Sequence, residues 1–534
     1  MRSVLAAVLA VGVMGVLVPF APAASAAVES VAFSVPSATF SAPFEVALST
    51  AVAGAEVHYT TDGKVPTAAS PTYTEPISVT TTTRLRAQAF VDDVATGDSD
   101  TAFYLAADLP TPHDLPVIVL DTFGAGTMTK DTYQDAGVLV YEPEVGGTVA
   151  LTGPPTLASR GGVKLHGNSS STFPKRSLRL ELHDQADGDA NLPFLGMPAD
   201  ADWVLKGPYA DKALIRDALA YRTGAELGRV RAMRTVPVEV YLDPDGGEVT
   251  AADYLGVYVA TEKVEVSSAR VPITKLTAAD VAEPEVTGGY LLKFDQQVAE
   301  EPMVPCTGAA QTCFHYLEVV EPGSPQPEQL AWLTAHLQHV NDVLHAPDFA
   351  DPTSGYPAYL DIDSFVDYMI VNELSRNCDA YVRSSYLTKD RGGKLVAGPL
   401  WDYDLSWGNG GIRQNTAIEG WQYPLQSGDS KPANDWFIQL NRDPAFVARL
   451  ADRWRQLRAG ELSDAAIDAR ADELAEPLAA AATRNFTKYP ILNQAHPVVW
   501  ITTPATATWA LQVQYIKQWT HQRAAWIDDQ LAGK

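Results

Sequence analysis

Between Ile362 and Gly408 the apolar positions change their period, and the change predicts how the chain runs. Ile362, Phe365, Val366 and Met369 recur at helical spacing, with Ser364 near the start, which predicts a helix over Asp363 to Ser375. The pattern stops in Ser375, Arg376, Asn377, Cys378 and Asp379, so an acidic residue follows directly on a buried helix. Ser385 to Thr388 then reads as a strand, Asp390 to Gly393 as a turn and Leu395 to Ala397 as a second strand, ahead of Trp401, Asp402, Tyr403 and Asp404. A hairpin of this kind returns Asp402 towards Asp379.

The same patterning organises the rest of the chain. From Val31 to Tyr104, short β-type runs (Phe44 to Leu48, Glu56 to Thr60, Thr83 to Ala89, Thr101 to Tyr104) alternate with turns and predict a small antiparallel sandwich over residues 28–108. Leu109, Pro110, Thr111 and Pro112 form a linker, 109–114, stiffened by proline. Strands are predicted at Gly162 to His166, Ser177 to Leu182, Trp203 to Gly207, Val236 to Tyr241, Leu255 to Ala260 and Gly289 to Phe294. One helix, Asp211 to Glu226, falls among them, with Asp211 as its cap and Arg216 as an ion-pair partner. After Pro322 the pattern turns helical: Gln329 to Leu344, Asp464 to Ala482 behind Ser463, and Trp509 to Leu531. The fold class is therefore α+β, a sheet-rich half followed by a helical half, with the sandwich in front.

Composition narrows the setting. A basic Arg2, an apolar run from Val4 to Val18 and the small residues Ala24, Ser25 and Ala26 make residues 1–26 a secretory signal peptide, with the mature chain starting near Ala27. No later run is long and apolar enough to cross a membrane. With 39 Lys and Arg against 65 Asp and Glu, a formal charge of −26, nucleic acid and anionic membrane surfaces are poor partners, and a nucleotide would need its own positive pocket. Cys306 and Cys313 bracket a short loop in a chain read as exported, so they are expected to be bonded, with Cys378 as a small buried residue. Neither a CxxC nor an HExxH pattern offers a zinc site.

Two carboxylates on loops joined by a hairpin suit phosphoryl transfer, in which one orients an attacking hydroxyl and the other holds Mg²⁺ on phosphates. Asp residues after helices are also ordinary caps, and Asp404 can be a second metal ligand or can cap the next turn. Upstream, Gly167, Asn168, Ser169 and Ser170 form a hairpin tip whose amides and hydroxyls can meet phosphate oxygens, with Lys175 on the return strand as a point charge.

The stretch NCDAYVRSSYLTKDRGGKLVAGPLWDYDLSWG, together with Gly167-Asn168-Ser169-Ser170, Lys175-Arg176-Ser177 and the Tyr258-to-Glu262 strand end, resembles the spore-coat-protein-H (CotH) kinase-like family over about residues 115–531. The stretch from Ala55 to Phe90 resembles the chitobiase/β-hexosaminidase C-terminal domain, an Ig-like module read here as an accessory domain without glycosidase chemistry. The first resemblance implies an atypical two-lobed protein-kinase-like domain, secreted or wall-associated, that moves the γ-phosphate of ATP to Ser or Thr of a protein with Mg²⁺. It implies Lys175, Gly167, Asn168, Ser169 and Ser170 on the phosphates, Glu262 near the base, Asp379 as catalytic residue, and Asp402 and Asp404 on metal. Two departures stand out: His166 where the family usually has Arg, and Ser384 and Ser385 where it commonly has Asn. The rival readings are a catalytically inactive cell-surface adhesin, a glycoside hydrolase using an Asp pair, and a purely structural wall protein.

Overall fold

The computed structural model describes residues 30–109, 112–144, 147–295, 301–309, 312–427 and 434–534. The predicted signal segment and two residues of the predicted linker lie outside these.

Seven strands close into a barrel in the order Gln134–Tyr141, Leu157–His166, Ser177–His183, Asp202–Lys206, Tyr254–Glu262, Thr235–Asp243 and Val117–Asp121. All neighbours are antiparallel except the last two strands, which run parallel. The alternation that predicts these strands also fills the barrel: Leu178, Leu180 and Leu182 point inward with Ile118, Leu120, Val238, Val240 and Trp203. Closure removes the edges that an open sheet would leave.

Two expectations change here. The strand at Tyr290–Phe294 does not join the sheet of the first half; it sits between Leu317–Glu321 and Ser385–Lys389 in a second, five-stranded sheet. Its apolar run is the same in either place, and only pairing decides which sheet receives it. The helix after the 202–206 strand begins at Arg216 rather than Asp211, because Leu214 takes a left-handed conformation, φ 66°, that no helix interior allows.

The helical half packs around one large core that includes Leu333, Leu337, Phe365, Met369, Trp407, Trp454 and Trp519. The Ile362–Ser375 and Trp509–Leu531 helices lie where the pattern puts them. The predicted 464–482 helix is two, Asp464–Ala475 and Ala479–Lys488, separated by a 3₁₀ turn at Pro477, which lacks the amide that a continuous helix needs. Helices at Trp436–Leu440 and Pro444–Arg458 add to the predicted set, although the second carries ordinary start signals in Asp443 and Pro444. Cys306 and Cys313 are bonded, with Cα atoms 5.7 Å apart, and Cys378 is free and buried.

The N-terminal β-rich module is not hung on a free linker. Its last strand, Val94–Asp108, pairs in parallel with Val249–Thr250, and Phe103, Leu105 and Ala107 share a core with Val117, Val119, Leu139 and Tyr241 of the barrel. Arg84 reaches across to Asp135 at 2.9 Å, and Tyr141 accepts from the Thr39 amide at 3.0 Å. The prolines at 109–112 suggest two separable pieces, and the two share this apolar seam in the fold.

Candidate functional site

The Ile362–Ser375 helix is capped by Asp361, which accepts from the Ser364 amide at 2.9 Å. It ends at Arg376 in the left-handed region, φ 47°, and the buried Arg376 guanidinium donates to the carbonyls of Ala417, at 2.8 Å, and Glu419. The next turn is held by Asn377: its Oδ1 accepts from the Asp379 amide at 3.1 Å, and its Nδ2 donates to the Asp402 carbonyl at 3.3 Å. One side chain thus fixes the Asp379 loop to the Asp402 loop, which is how the hairpin's return becomes a defined site.

The Arg216–Leu227 helix holds the other side of Asp402. The Tyr221 hydroxyl accepts from the Asp402 amide at 3.1 Å, and Asp217 accepts from the Tyr403 amide at 2.8 Å. Fully buried Arg216 is ion-paired with Asp211 and donates to the Ser406 carbonyl at 2.9 Å, so this pair locks the segment that follows Asp404. Tyr381, Ser384, Asp402 and Arg413 all hold positive φ, at 71°, 48°, 66° and 47°. Each costs on the order of 1 kcal/mol, and such strain gathers where surrounding structure fixes functional groups.

Lys206, the last residue of its barrel strand, is the centre of the arrangement. Its ammonium lies 2.9 Å from Asp217 and 2.9 Å from Asp402, and 4.9 Å from the centre of the Trp401 ring. Burial opposes the charge, but the two carboxylates outweigh it and hold the amine well above its ordinary value. Asp402 also accepts from Ser384 Oγ at 3.4 Å, and although burial works against it, Lys206 keeps its carboxyl below the usual range. Burial pushes the Asp379 carboxyl up, opposed by Arg413 at 3.4 Å. Asp404 is pushed well above its usual value by burial and by the charges of Asp402 and Asp217.

These groups line a cavity of about 580 Å³ between the barrel and the helical half. Gly167, Asn168, Ser169 and Ser170 form part of its wall, as do Asp379, Asp402 and Asp404. Lys130, Lys164, Arg179, Lys263, Lys293 and Arg383 join Lys206, a concentration of cations in a chain of formal charge −26, interleaved with Asp131, Asp295 and Glu301. His166 is there too, neutral: burial, aided by Arg179 and Lys206, pushes its imidazole down to about 3.

Two expected residues are not brought to this wall. Lys175 is buried elsewhere, donating to Asn485 Oδ1 at 2.8 Å under the rings of Tyr258 and Tyr489, and burial holds its amine well below the ordinary value. Glu262 is buried against Arg234, accepting from the Arg234 amide at 2.8 Å and from its guanidinium at 2.6 Å, so its carboxylate ties the end of one barrel strand to the residue that leads into the next. The lysine that stands on this wall beside Asp402 is Lys206, paired with the helix acid Asp217, and neither stands out by motif. The available signal was a lysine closing an apolar run, Trp203-Val204-Leu205-Lys206, where a charge is rarely buried without a partner.

The molecule is a mixed α+β protein whose charged cavity, between the barrel and the helical half, carries acids from two strained loops and a paired lysine. It belongs to the CotH kinase protein family, whose model matches residues 163–527. A model of the chitobiase/beta-hexosaminidase C-terminal domain matches residues 35–102, within the N-terminal module. No curated protein matches the chain.

Proposed function

We propose that this is an exported, two-lobed protein kinase in which the barrel acts as one lobe and the helical half as the other. It would move the γ-phosphate of ATP to a Ser or Thr hydroxyl of a protein. The observation that carries the reading is Lys206 bridging Asp217 of a helix and Asp402 of the strained loop, on the same cavity wall as the Gly/Ser tip and Asp379. Kinases need a lysine held by a helix carboxylate and set against a metal-binding Asp. Membership in the family supports the nucleotide as ligand, and the lysines and arginines of the wall, equal in number to its acids, make it far less acidic than the chain as a whole. The disulfide supports an oxidising, extracellular setting, and among the described residues no helix is long and apolar enough to cross a membrane.

Each residue then has a task. The Gly167–Ser170 tip offers amides and hydroxyls to phosphate oxygens, and Lys206 supplies the fixed positive charge. Asp379 orients the acceptor hydroxyl and takes its proton; its raised carboxyl is better matched to that work than an ordinary aspartate. No group of three His, Cys, Asp or Glu at metal-ligand spacing occurs among the described residues, so a metal here rests on two carboxylates. Asp402 and Asp404 fit that demand, since Asp404 opens on the cavity and its charge is disfavoured until a cation joins the pair. Mg²⁺, held there by Asp402 and Asp404, would supply positive charge against the phosphates. A glycoside-hydrolase reading is disfavoured because Lys206 commits Asp402 to an ion pair.

A second reading, an inactive binding protein on the same fold, is favoured by Ser384, whose hydroxyl meets Asp402 where a kinase commonly has Asn. Transfer of radiolabelled phosphate from ATP by the purified secreted form, wild type against Asp379→Ala, separates the two. Transfer that the substitution abolishes supports the kinase; nucleotide binding without transfer supports the second reading.

A further inference from the structure

The parallel barrel strands Val117–Asp121 and Thr235–Asp243 place Asp121 directly opposite Asp243. Ile118, Leu120, Val238 and Val240 face the barrel interior. By alternation, Asp121 and Asp243 stand on the outer face with Val117, Val119 and Tyr241, which pack on the sandwich strand. Both acids are buried, at 0% and 3% exposure. Each uses one oxygen in the same way: Asp121 Oδ1 accepts from the Phe123 amide at 2.7 Å, and Asp243 Oδ1 from the Asp245 amide at 2.7 Å. The other oxygen of each, Asp121 Oδ2 and Asp243 Oδ2, is buried without a hydrogen-bond partner.

An anionic oxygen with no partner is costly to bury, and two on neighbouring strands also repel each other. Among the described residues no side chain hydrogen-bonds these oxygens, and the charge of Arg84 only partly offsets the burial that pushes the Asp121 carboxyl up to about 7. The Thr122 hydroxyl is turned to the carbonyls of Asp243 and Pro244, each at 3.5 Å, and Asp253 is used in capping Thr250. Arg84, the sandwich cation at this seam, lies 4.3 Å over the Phe123 ring and donates to Asp135.

We propose that Asp121 and Asp243 together hold a divalent cation of the calcium type at the seam between the sandwich and the barrel. Paired carboxylates without thiol or imidazole make a hard, all-oxygen site, unlike one for zinc. Calcium also tolerates the irregular mixture of carboxylate, carbonyl and water oxygens that two loops can provide, where magnesium demands a near-ideal octahedron. The cation joins the strands that carry the sandwich contact, so it stiffens the seam. This site is separate from the cavity and does not depend on the kinase reading.

The test uses the full secreted chain and calcium chloride alone. Calorimetry should find a site in the wild type that the Asp121→Asn/Asp243→Asn chain lacks and the Asp402→Asn/Asp404→Asn chain keeps. The wild-type melting temperature should rise by several degrees from EDTA to millimolar calcium, with no rise in the seam variant. No binding at millimolar calcium overturns the proposal, and so does binding that survives the seam substitutions. If the double variant does not fold, Asp243→Asn alone should weaken calcium roughly 10-fold or more, as expected when a charged ligand is lost, and unchanged affinity overturns the proposal.

Discussion

Lys175, just before one barrel strand, and Lys206, the last residue of another, are both buried, and their surroundings push their amines in opposite directions. Around Lys175 stand Asn485 and two tyrosine rings, and burial pushes the amine well below its ordinary value against the opposing charge of Asp211, which makes no ion pair with it. Around Lys206 stand Asp217 and Asp402, and the ammonium is held. Burial acts on both alike; what differs is the charge brought by distant segments of chain. On the proposed kinase reading, the lysine suited to phosphates is the one the fold keeps charged by delivering acids to it, and proximity to a Gly/Ser tip in sequence does not supply them.

The sharpest way to break this contrast is Lys206→Met. It removes the fixed charge and leaves buried Asp217 and partly exposed Asp402 without their partner, so phosphotransfer should fall by about 10³-fold and stability by about 3 kcal/mol, most of it from Asp217. A phosphotransfer assay with a parallel denaturant melt measures both. Retained transfer would return the phosphate role to another cation.

The two acids of the cavity should then divide. Asp379→Asn should lower transfer by about 10²-fold while nucleotide affinity stays near wild type. Asp402→Asn should weaken Mg²⁺·ATP binding itself, because a neutral amide gives up the charge that holds a hard cation. Calorimetry with Mg²⁺·ATP on both variants checks the split, and equal loss of binding in the two would deny it.

Acidity offers a gentler probe. Asp379 is a carboxyl raised in the fold, so transfer should be full above its folded value and be lost as pH falls through it. His166, pushed down to about 3, takes up no proton in the folded state between pH 8 and pH 5, so nucleotide affinity should show no histidine step in that window. A binding titration across it that rises on the acid side, as for an imidazolium meeting phosphate, would contradict the neutral reading of His166.

The smallest effect is expected from Lys175→Met. The unfolded chain carries a charged lysine at pH 7, whereas burial disfavours that charge in the fold, so removing the amine should leave stability unchanged or raise it. Asn485 Oδ1 keeps the Val257 amide as a donor at 3.1 Å, which limits the cost of the change. Transfer should stay within about 3-fold of wild type, as for a substitution outside the catalytic groups. A larger loss would place Lys175 back in the chemistry.

Much of this protein could be read from local pattern because local pattern carries its own physics. Apolar pattern identified strands at Gly162 to His166, Ser177 to Leu182 and Ser385 to Thr388, each inside an observed strand, and helical spacing found helices at Asp363 to Ser375 and Trp509 to Leu531, because burying one face obliges a matching period. The Asp379 and Asp402 loops, the Gly/Ser tip and the Cys306–Cys313 bond were legible in the same way, from residues close together in the chain. What tertiary structure alone decided involves partners far apart. Strand pairing sent Tyr290–Phe294 to the second sheet and fused the sandwich to the barrel. Asp402 arrives at Lys206 from nearly 200 positions away, and Asn485 reaches Lys175 from more than 300. A buried amine's charge is set by the sum of fields around it, and no window of sequence contains that sum.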